Sequence, residues 1–272
     1  MIDYKTNNLP ELLEFDNIDI DKFKSTELLV KEQIKLLEKK NNFPISKEKF
    51  KECKNLHYYR IPFIPIIDFN FTDIDWVRIV EEVENLNEIY IPYRPMQLHK
   101  KWSSLTLYGY SSVHLKSKNG YNEYEYLNNI DMGWTDVSKF TPELKKFIKK
   151  LPFKKLDRTR IMKIGPGGYL RPHHDGIYGC GAFNIALYNP VDCKFYLNGL
   201  GYIPFPEHTN IHDVNNDKIA KCIMPNTGYH HSVINNSKEN RYHLIVHIDQ
   251  KDQKCLEKLK IKNIKKLLKE WK

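Results

Sequence analysis

The chain has 272 residues, 41% hydrophobic and 28% charged, which excludes collagen-like, low-complexity and charge-swollen disordered classes and leaves a globular protein with a sizeable core. The formal net charge of +9 admits a polyanionic partner, yet residues 251–272 alone carry +6, with nine lysines against Asp252, Glu257 and Glu270, so the remainder is nearly balanced. Five cysteines (Cys53, Cys180, Cys193, Cys222, Cys255) with no C-x-x-C spacing argue against a disulfide framework or a zinc ribbon. The start MIDYKTNNLPELLEFD lacks the regions of a secretory signal and no run approaches the ~18 apolar residues of a membrane span, so a cytoplasmic protein is expected.

Over 25–40, Leu28, Leu29, Ile34, Leu36 and Leu37 recur with helical spacing and stop at Asn41, Asn42 and Pro44, which predicts a surface helix. Residues 57–71 are aromatic and β-branched but broken by Pro62 and Pro65, which suits an edge strand or extended arm. Thr72 offers an N-cap for a second helix through Trp76, Val80 and Val83. Trp102, Leu105 and Leu107 predict a strand, followed by a long Asn/Gly/Tyr-rich loop, and Thr141-Pro142-Glu143 reads as the start of a short helix reaching Lys150. From 157 to 249 the chain becomes a series of short β-rich runs, RTRIMKI, YLRPHHD, AFNIALYN, KFYLNG, KCIMP, YHHSVIN and RYHLIVHI. They are separated by GPGG, NG, PNTG and NNSKEN, which are turn chemistries; a sandwich or barrel follows, and the GPGG, leading into a strand, reads as a turn and not a phosphate cradle. In the last 22 residues Leu256, Leu259, Ile264, Leu267, Leu268 and Trp271 share one stripe of a basic helix, read as a docking helix with a solvated lysine face and, as the alternative, a nucleic-acid contact.

The segment Arg171-Pro172-His173-His174-Asp175 carries the most chemistry. On an extended strand His173 and Asp175 point the same way and His174 the other. An imidazole and a carboxylate at i and i+2 supply two of the three ligands of a facial metal triad, and the third must come from elsewhere. Tyr229-His230-His231-Ser232 offers two histidines on opposite strand faces, and the local pattern does not choose between them. After six turn-prone residues, a hairpin would set Arg241 on the strand antiparallel to that pair, where a guanidinium can clamp a carboxylate. Arg158 and Arg160 share a strand face with Met162, and one of them reaching the site is as expected as a structural role; Trp102, Tyr108 and Tyr110 are candidates for a substrate cleft or for core packing.

The run RTRIMKIGPGGYLRPHHD…HSVINNSKENRYHLIV resembles the aspartyl/asparaginyl β-hydroxylase branch of the Fe(II)- and 2-oxoglutarate-dependent oxygenases, in its pattern R-x-x-x-[LI]-x-P-G…P-H-x-D…H-S-V-x-N…R-x-H-L. About 90 residues carry the resemblance. It implies a mainly β core folded as a double-stranded β-helix (jelly roll, cupin-like), flanked by α-helices from the N-terminal half and by the C-terminal basic helix. It also implies His173, Asp175 and His231 as iron ligands and Arg241 as the grip on the distal carboxylate of 2-oxoglutarate, with dioxygen as second cosubstrate. The chain departs from animal members where Ala182 and Asn184 replace an arginine and a histidine and Met162 replaces a serine, which leaves Asn184 and His243 as candidates for further cosubstrate contacts. The expected organisation is a helical and mixed part over 1–150 that packs on the core and contributes substrate loops, a catalytic core over 151–250 and a helix over 251–272, together one structural unit. The implied activity is hydroxylation of a C–H bond of an amino acid, free, in a small conjugate or in a peptide or protein, with release of succinate and CO2. A non-catalytic cupin-like binding module and the same chemistry on a nucleic-acid-associated substrate are the alternatives.

Overall fold

The computed structural model describes residues 20–67, 73–94, 98–114, 132–175, 179–215, 217 and 220–271. Its organising element is an 18-residue strand, β5 (Leu156–His173), that belongs to two antiparallel sheets at once. The first half of β5 pairs with β11 (Arg241–Ile248), which continues through β6 (Phe183–Tyr188) and β9 (Cys222–Pro225) to a short edge strand β1 (Phe63–Pro65). The second half pairs with β10 (His231–Asn235), followed by β7 (Cys193–Leu197) and β8 (Gly201–Ile203). From β5 to β11 the chain passes back and forth between the two sheets, with β7 and β8 pairing as neighbours in the second, which is the topology of a double-stranded β-helix. The outer side of β5 is lengthened by β3 (Lys100–Gly109), itself flanked by β2 (Ile91–Pro92) and β4 (Gly133–Trp134).

Among the described residues, five α-helices cover the barrel. In α1 (Ile20–Lys40) the buried apolar residues are Val30, Ile34 and Leu37, the first two seated on Tyr169, Tyr196 and Ile234, while Leu28, Leu29 and Leu36 are exposed. The packing stripe is therefore narrower than the five apolar residues predicted, because spacings of three and four keep only one line against the sheet. The helix α2 (Lys47–Leu56) buries Phe50 and Cys53, and α3 (Trp76–Glu84) and α4 (Pro142–Lys149) pack together on the core. The cap of α3 is Asp75, whose carboxylate accepts from the Arg78 N–H; Thr72, expected there, lies outside the described residues, as does 115–131 of the expected long loop. Thr141 precedes Pro142 as predicted but gives α4 no side-chain cap. The buried Glu82 carboxylate does so from across the interface, accepting from the Glu143 and Leu144 N–H groups at 3.0 and 3.1 Å. The C-terminal α5 (Gln253–Glu270) docks through Leu256, Ile264 and Leu267, and its Asn263 accepts from the Ile67 N–H at 2.9 Å. No helix among the described residues is long and apolar enough to cross a membrane.

Two local expectations are corrected. The GPGG at 165–168 does not reverse the chain; it bends β5 where the strand leaves one sheet for the other. Against β3 the register jumps from Trp102 opposite Ile164 to Lys100 opposite Tyr169, so the extra residues bulge. Gly167 adopts a left-handed φ of 65°, and Lys101 Nζ holds the bulge by donating to the Pro166 carbonyl at 2.7 Å. Nor do β10 and β11 form a hairpin. The long β5 lies between them and takes the hydrogen bonds of both, and Asn235 closes the connection by donating to the carbonyls of Ile164, Gly165 and Glu239.

A side chain at Gly168 has nowhere to go, since a Cβ there would sit 2.7 Å from the Gly165 carbonyl oxygen and 2.8 Å from that of Lys100. Gly168→Ala is expected to cost about 2 kcal/mol of unfolding free energy in urea, and Gly133→Ala, where nothing lies within 4 Å, close to none.

Candidate active site

A cavity of about 860 Å3 opens inside the barrel, and its lining gathers residues from β5, β6, β10 and β11 with segments of the N-terminal half and α5. His173 ends β5 and His231 begins β10, and the two are direct cross-strand partners, so their rings project from the same face with centroids 4.3 Å apart. The strand stops at His173, short of the expected H-x-D extension. Asp175 is brought back by its backbone N–H, which donates to the Thr227 carbonyl at 2.9 Å in the turn that precedes β10. One ligand atom each from His173, Asp175 and His231 falls within 4.8 Å of the others.

The hydrogen bonds behind the two imidazoles fix their tautomers. His173 Nδ1 lies 2.7 Å from the Arg171 carbonyl and His231 Nδ1 lies 3.0 Å from that of Tyr229. A carbonyl only accepts, so each Nδ1 carries the proton and each Nε2 lone pair is left for a metal. Burial, together with the neighbouring imidazole of His231, drives the His173 pKa below its ordinary value, and burial does the same for His231. Two neutral imidazole nitrogens and one carboxylate on one side form a donor set that suits Fe(II) and leaves its other face open. Phe195 stacks on the His231 ring, and His99, whose Nδ1 accepts from the Arg171 N–H, stands edge-on to His173. His174 and His230 face each other, ring centroids 4.7 Å apart; His174 lines the cavity.

Arg241 opens β11 opposite Ile164, at the bend of β5, and reaches the same cavity. Arg241 as a whole is 3% exposed, and burial pushes its pKa down only to about 10, so it stays charged at neutral pH. Among the described residues no carboxylate acts on it. Asn184, on β6, lines the cavity too. His243 is fully buried and stands behind the lining, with Nδ1 2.7 Å from Arg241 Nη2 and 2.5 Å from Asn184 Oδ1.

Arg158, Arg160 and Met162, alternating on β5, all face the cavity. Arg160 and Arg94 lie 4.7 and 5.4 Å from the Tyr93 ring centre. Burial raises the Tyr93 phenol, but the Arg160, Arg94 and Arg158 guanidinia outweigh it and bring its pKa below the ordinary value. Trp102 lines the cavity, whereas Tyr108 packs on Trp134. Sequence reasoning did not single out Tyr93, Arg94 or His247. His247 was within reach, because it continues the inward alternation Arg241, His243, Ile245; the other two arrive from an irregular segment whose placement no local pattern announces.

Residues 73–251 match the family model described as aspartyl/asparaginyl beta-hydroxylase. No curated protein matches the chain. Among solved structures it is similar to a Trichoplax adhaerens prolyl hydroxylase in complex with a hypoxia inducible factor oxygen degradation domain peptide fragment, at 10% identity and a TM-score of 0.38, over 88% of this chain and 97% of that one. A Pseudomonas putida prolyl-4-hydroxylase is similar at 12% identity and a TM-score of 0.35, over 69% and 91% of the two chains. The non-heme alpha ketoglutarate dependent epimerase SnoN from nogalamycin biosynthesis is similar at 12% and 0.37, over 75% and 84%.

His247 opens onto the cavity yet is enclosed by it, and burial, reinforced by the Arg158 and Arg160 guanidinia, pushes its pKa down to about 3. The unfolded chain binds a proton on this residue below its ordinary pKa of about 6.5, and the folded chain does not, so its contribution to stability is full above 6.5 and drains away as the pH falls toward 3. Between pH 6.5 and 5 the wild type should therefore lose about 2 kcal/mol more unfolding free energy than His247→Gln. Denaturant titrations at the two pH values check this.

Proposed function

We propose a reaction from the premise that the chain belongs to the aspartyl/asparaginyl beta-hydroxylase family: it is a 2-oxoglutarate-dependent hydroxylase that works with iron, and its substrate is an amino acid, free, in a small conjugate, or as a residue of a peptide or protein. His173, Asp175 and His231 hold the metal in this reading. Arg241 takes the distal carboxylate of 2-oxoglutarate, whose keto-acid end faces the metal. The chemistry supplied there is insertion of one oxygen atom of O2 into a C–H bond, with the other going to 2-oxoglutarate as it becomes succinate and CO2, so that atoms and electrons balance.

The observation that carries the reading is the convergence of three ligand atoms within 4.8 Å with both histidine Nδ1 atoms tied to carbonyls. Such ties orient the rings and keep both imidazoles unprotonated on the metal side. A buried guanidinium at the bend of β5 supports a dicarboxylate cosubstrate, because an ionised carboxylate both pairs with the charge and satisfies its fork of N–H donors. The cavity is larger than a five-carbon diacid needs, which leaves room for a second organic molecule. Its Arg94, Arg158, Arg160 wall around Tyr93 gives that volume a positive potential, and an amino-acid carboxylate matches it.

Anaerobic addition of Fe(II) and 2-oxoglutarate should produce a weak visible absorption band in the wild type, and O2 with substrate should then release succinate. Asp175→Ala should show neither; succinate from that variant would overturn the ligand assignment. A band without succinate from any amino acid, peptide or protein fraction would mark a non-catalytic binding module instead.

Matched pairs test the substrate class. Amino acids should stimulate succinate release with a KM at least tenfold below that of their carboxamides, the loss of a charge-assisted bond.

A further inference from the structure

Behind Arg241 a chain of buried polar groups crosses the barrel wall. Arg241 Nη2 lies 2.7 Å from His243 Nδ1, His243 Nε2 lies 3.3 Å from Asn189 Oδ1, the Asn189 N–H donates to His208 Nδ1 at 3.0 Å, and His208 Nε2 lies 3.0 Å from Asp217 Oδ1. Arg241, His243, Asn189 and His208 are all buried, and Asp217 ends the chain in an ion pair with Lys221.

The Arg241 contact sets the assignment, because a guanidinium has no acceptor to offer. His243 Nδ1 therefore accepts and bears no proton. A neutral His243 then carries its proton on Nε2 and gives it to the Asn189 oxygen. The same reasoning runs on: His208 Nδ1 accepts from the Asn189 N–H, and His208 Nε2–H points at the Asp217 carboxylate. The Asn184 amide oxygen stands 2.5 Å from the same Nδ1, so with Arg241 donating there the amide turns its NH2 to the ring and the one lone pair is shared between the two donors. Asn189 is in turn fixed, donating to the Cys193 and Pro206 carbonyls. Phe205 closes edge-on against the His243 ring.

We propose that His243 is a positioning residue for 2-oxoglutarate, holding the Arg241 guanidinium in the plane that presents its remaining N–H donors to the distal carboxylate, with Asn189, His208 and Asp217 holding His243. It rests on the role of Arg241 given above. His243 is not among the residues that line the cavity, so it acts through the arginine and does not touch the cosubstrate. A two-point carboxylate contact depends on the rotation of the guanidinium plane, and one N–H tied to a fixed acceptor removes that freedom before ligand arrives.

Calorimetric titration of the Mn(II)-loaded protein tests it without turnover, with 2-oxoglutarate and oxalate as the two probes. Oxalate offers the metal a comparable pair of oxygens and has no distal carboxylate. His243→Phe should weaken 2-oxoglutarate ten- to a hundredfold and leave oxalate within about twofold, and His243→Asn, which keeps an acceptor near the place of Nδ1, should recover most of the loss. Equal weakening of both probes, or none, overturns the positioning role. Arg241→Met separates this from the reading beneath it: if that variant keeps the wild-type preference for 2-oxoglutarate over oxalate, the assignment of Arg241 itself fails. Should His243→Phe not fold, Asn189→Ala removes the acceptor for His243 Nε2–H together with the Asn189 bonds to the Cys193 and Pro206 carbonyls, while the backbone N–H to His208 remains; a selective loss of 2-oxoglutarate affinity of a few-fold is expected, and an unchanged ratio of the two affinities overturns the proposal.

Discussion

The strand from Leu156 to His173 serves two sheets, and at Gly168, where it bends, a single added Cβ would meet two backbone oxygens. That compression decides where the chemistry sits. Up to Ile164 the strand presents Arg158, Arg160 and Met162 to the cavity beside β11; beyond the bend it presents His173 beside β10. Because β11 begins at the bend, Arg241 comes to the inside of the corner. One continuous backbone therefore sets the separation between the metal-side histidine and the buried guanidinium, with no loop between them to drift.

Burial then fixes the protonation states. His173 and His231 each have Nδ1 tied to a carbonyl two residues earlier in the chain, so the local backbone selects the tautomer that leaves Nε2 without a proton. The outcome is a cavity whose two-histidine corner is neutral, with Asp175 beside it and the buried Arg241 cation on β11, and whose walls add Arg94, Arg158 and Arg160 as well as Glu257 and Lys260. Asp175 is exposed and joined only after the strand has ended, which makes it the triad member that the sheet positions least.

Much of this was legible before any coordinates. The strand series over 157–249, the edge character of the segment interrupted by Pro62 and Pro65, and the His173-x-Asp175 spacing are written in the local pattern, whereas the choice of His231 over His230 rests on the family resemblance. The GPGG was misjudged because glycine and proline mark a change of backbone direction without saying whether the chain reverses or turns a corner; only the partners on either side decide, and these lie some seventy residues away in β10 and β11. The hairpin between β10 and β11 failed for the same reason, since a loop of suitable length does not reveal that a third strand fills the gap. Tyr93 and Arg94 were invisible because they reach the cavity from an irregular stretch with no periodicity to read.

A guanidinium that is 3% exposed and has no carboxylate acting on it among the described residues is a costly thing to bury, and the cost is borne in the ligand-free protein. On the proposed reading it is recovered on binding. Fe(II), the Asp175 carboxylate, the 2-oxoglutarate dianion and the Arg241 cation together sum to no net charge, so each component neutralises what the others leave. This makes the affinities for metal and cosubstrate interdependent, since either alone enters a site that is electrically incomplete. The relay through His243 serves that coupling: it keeps the cation where the dianion will need it while giving up no negative charge of its own, which a carboxylate partner for Arg241 would have done.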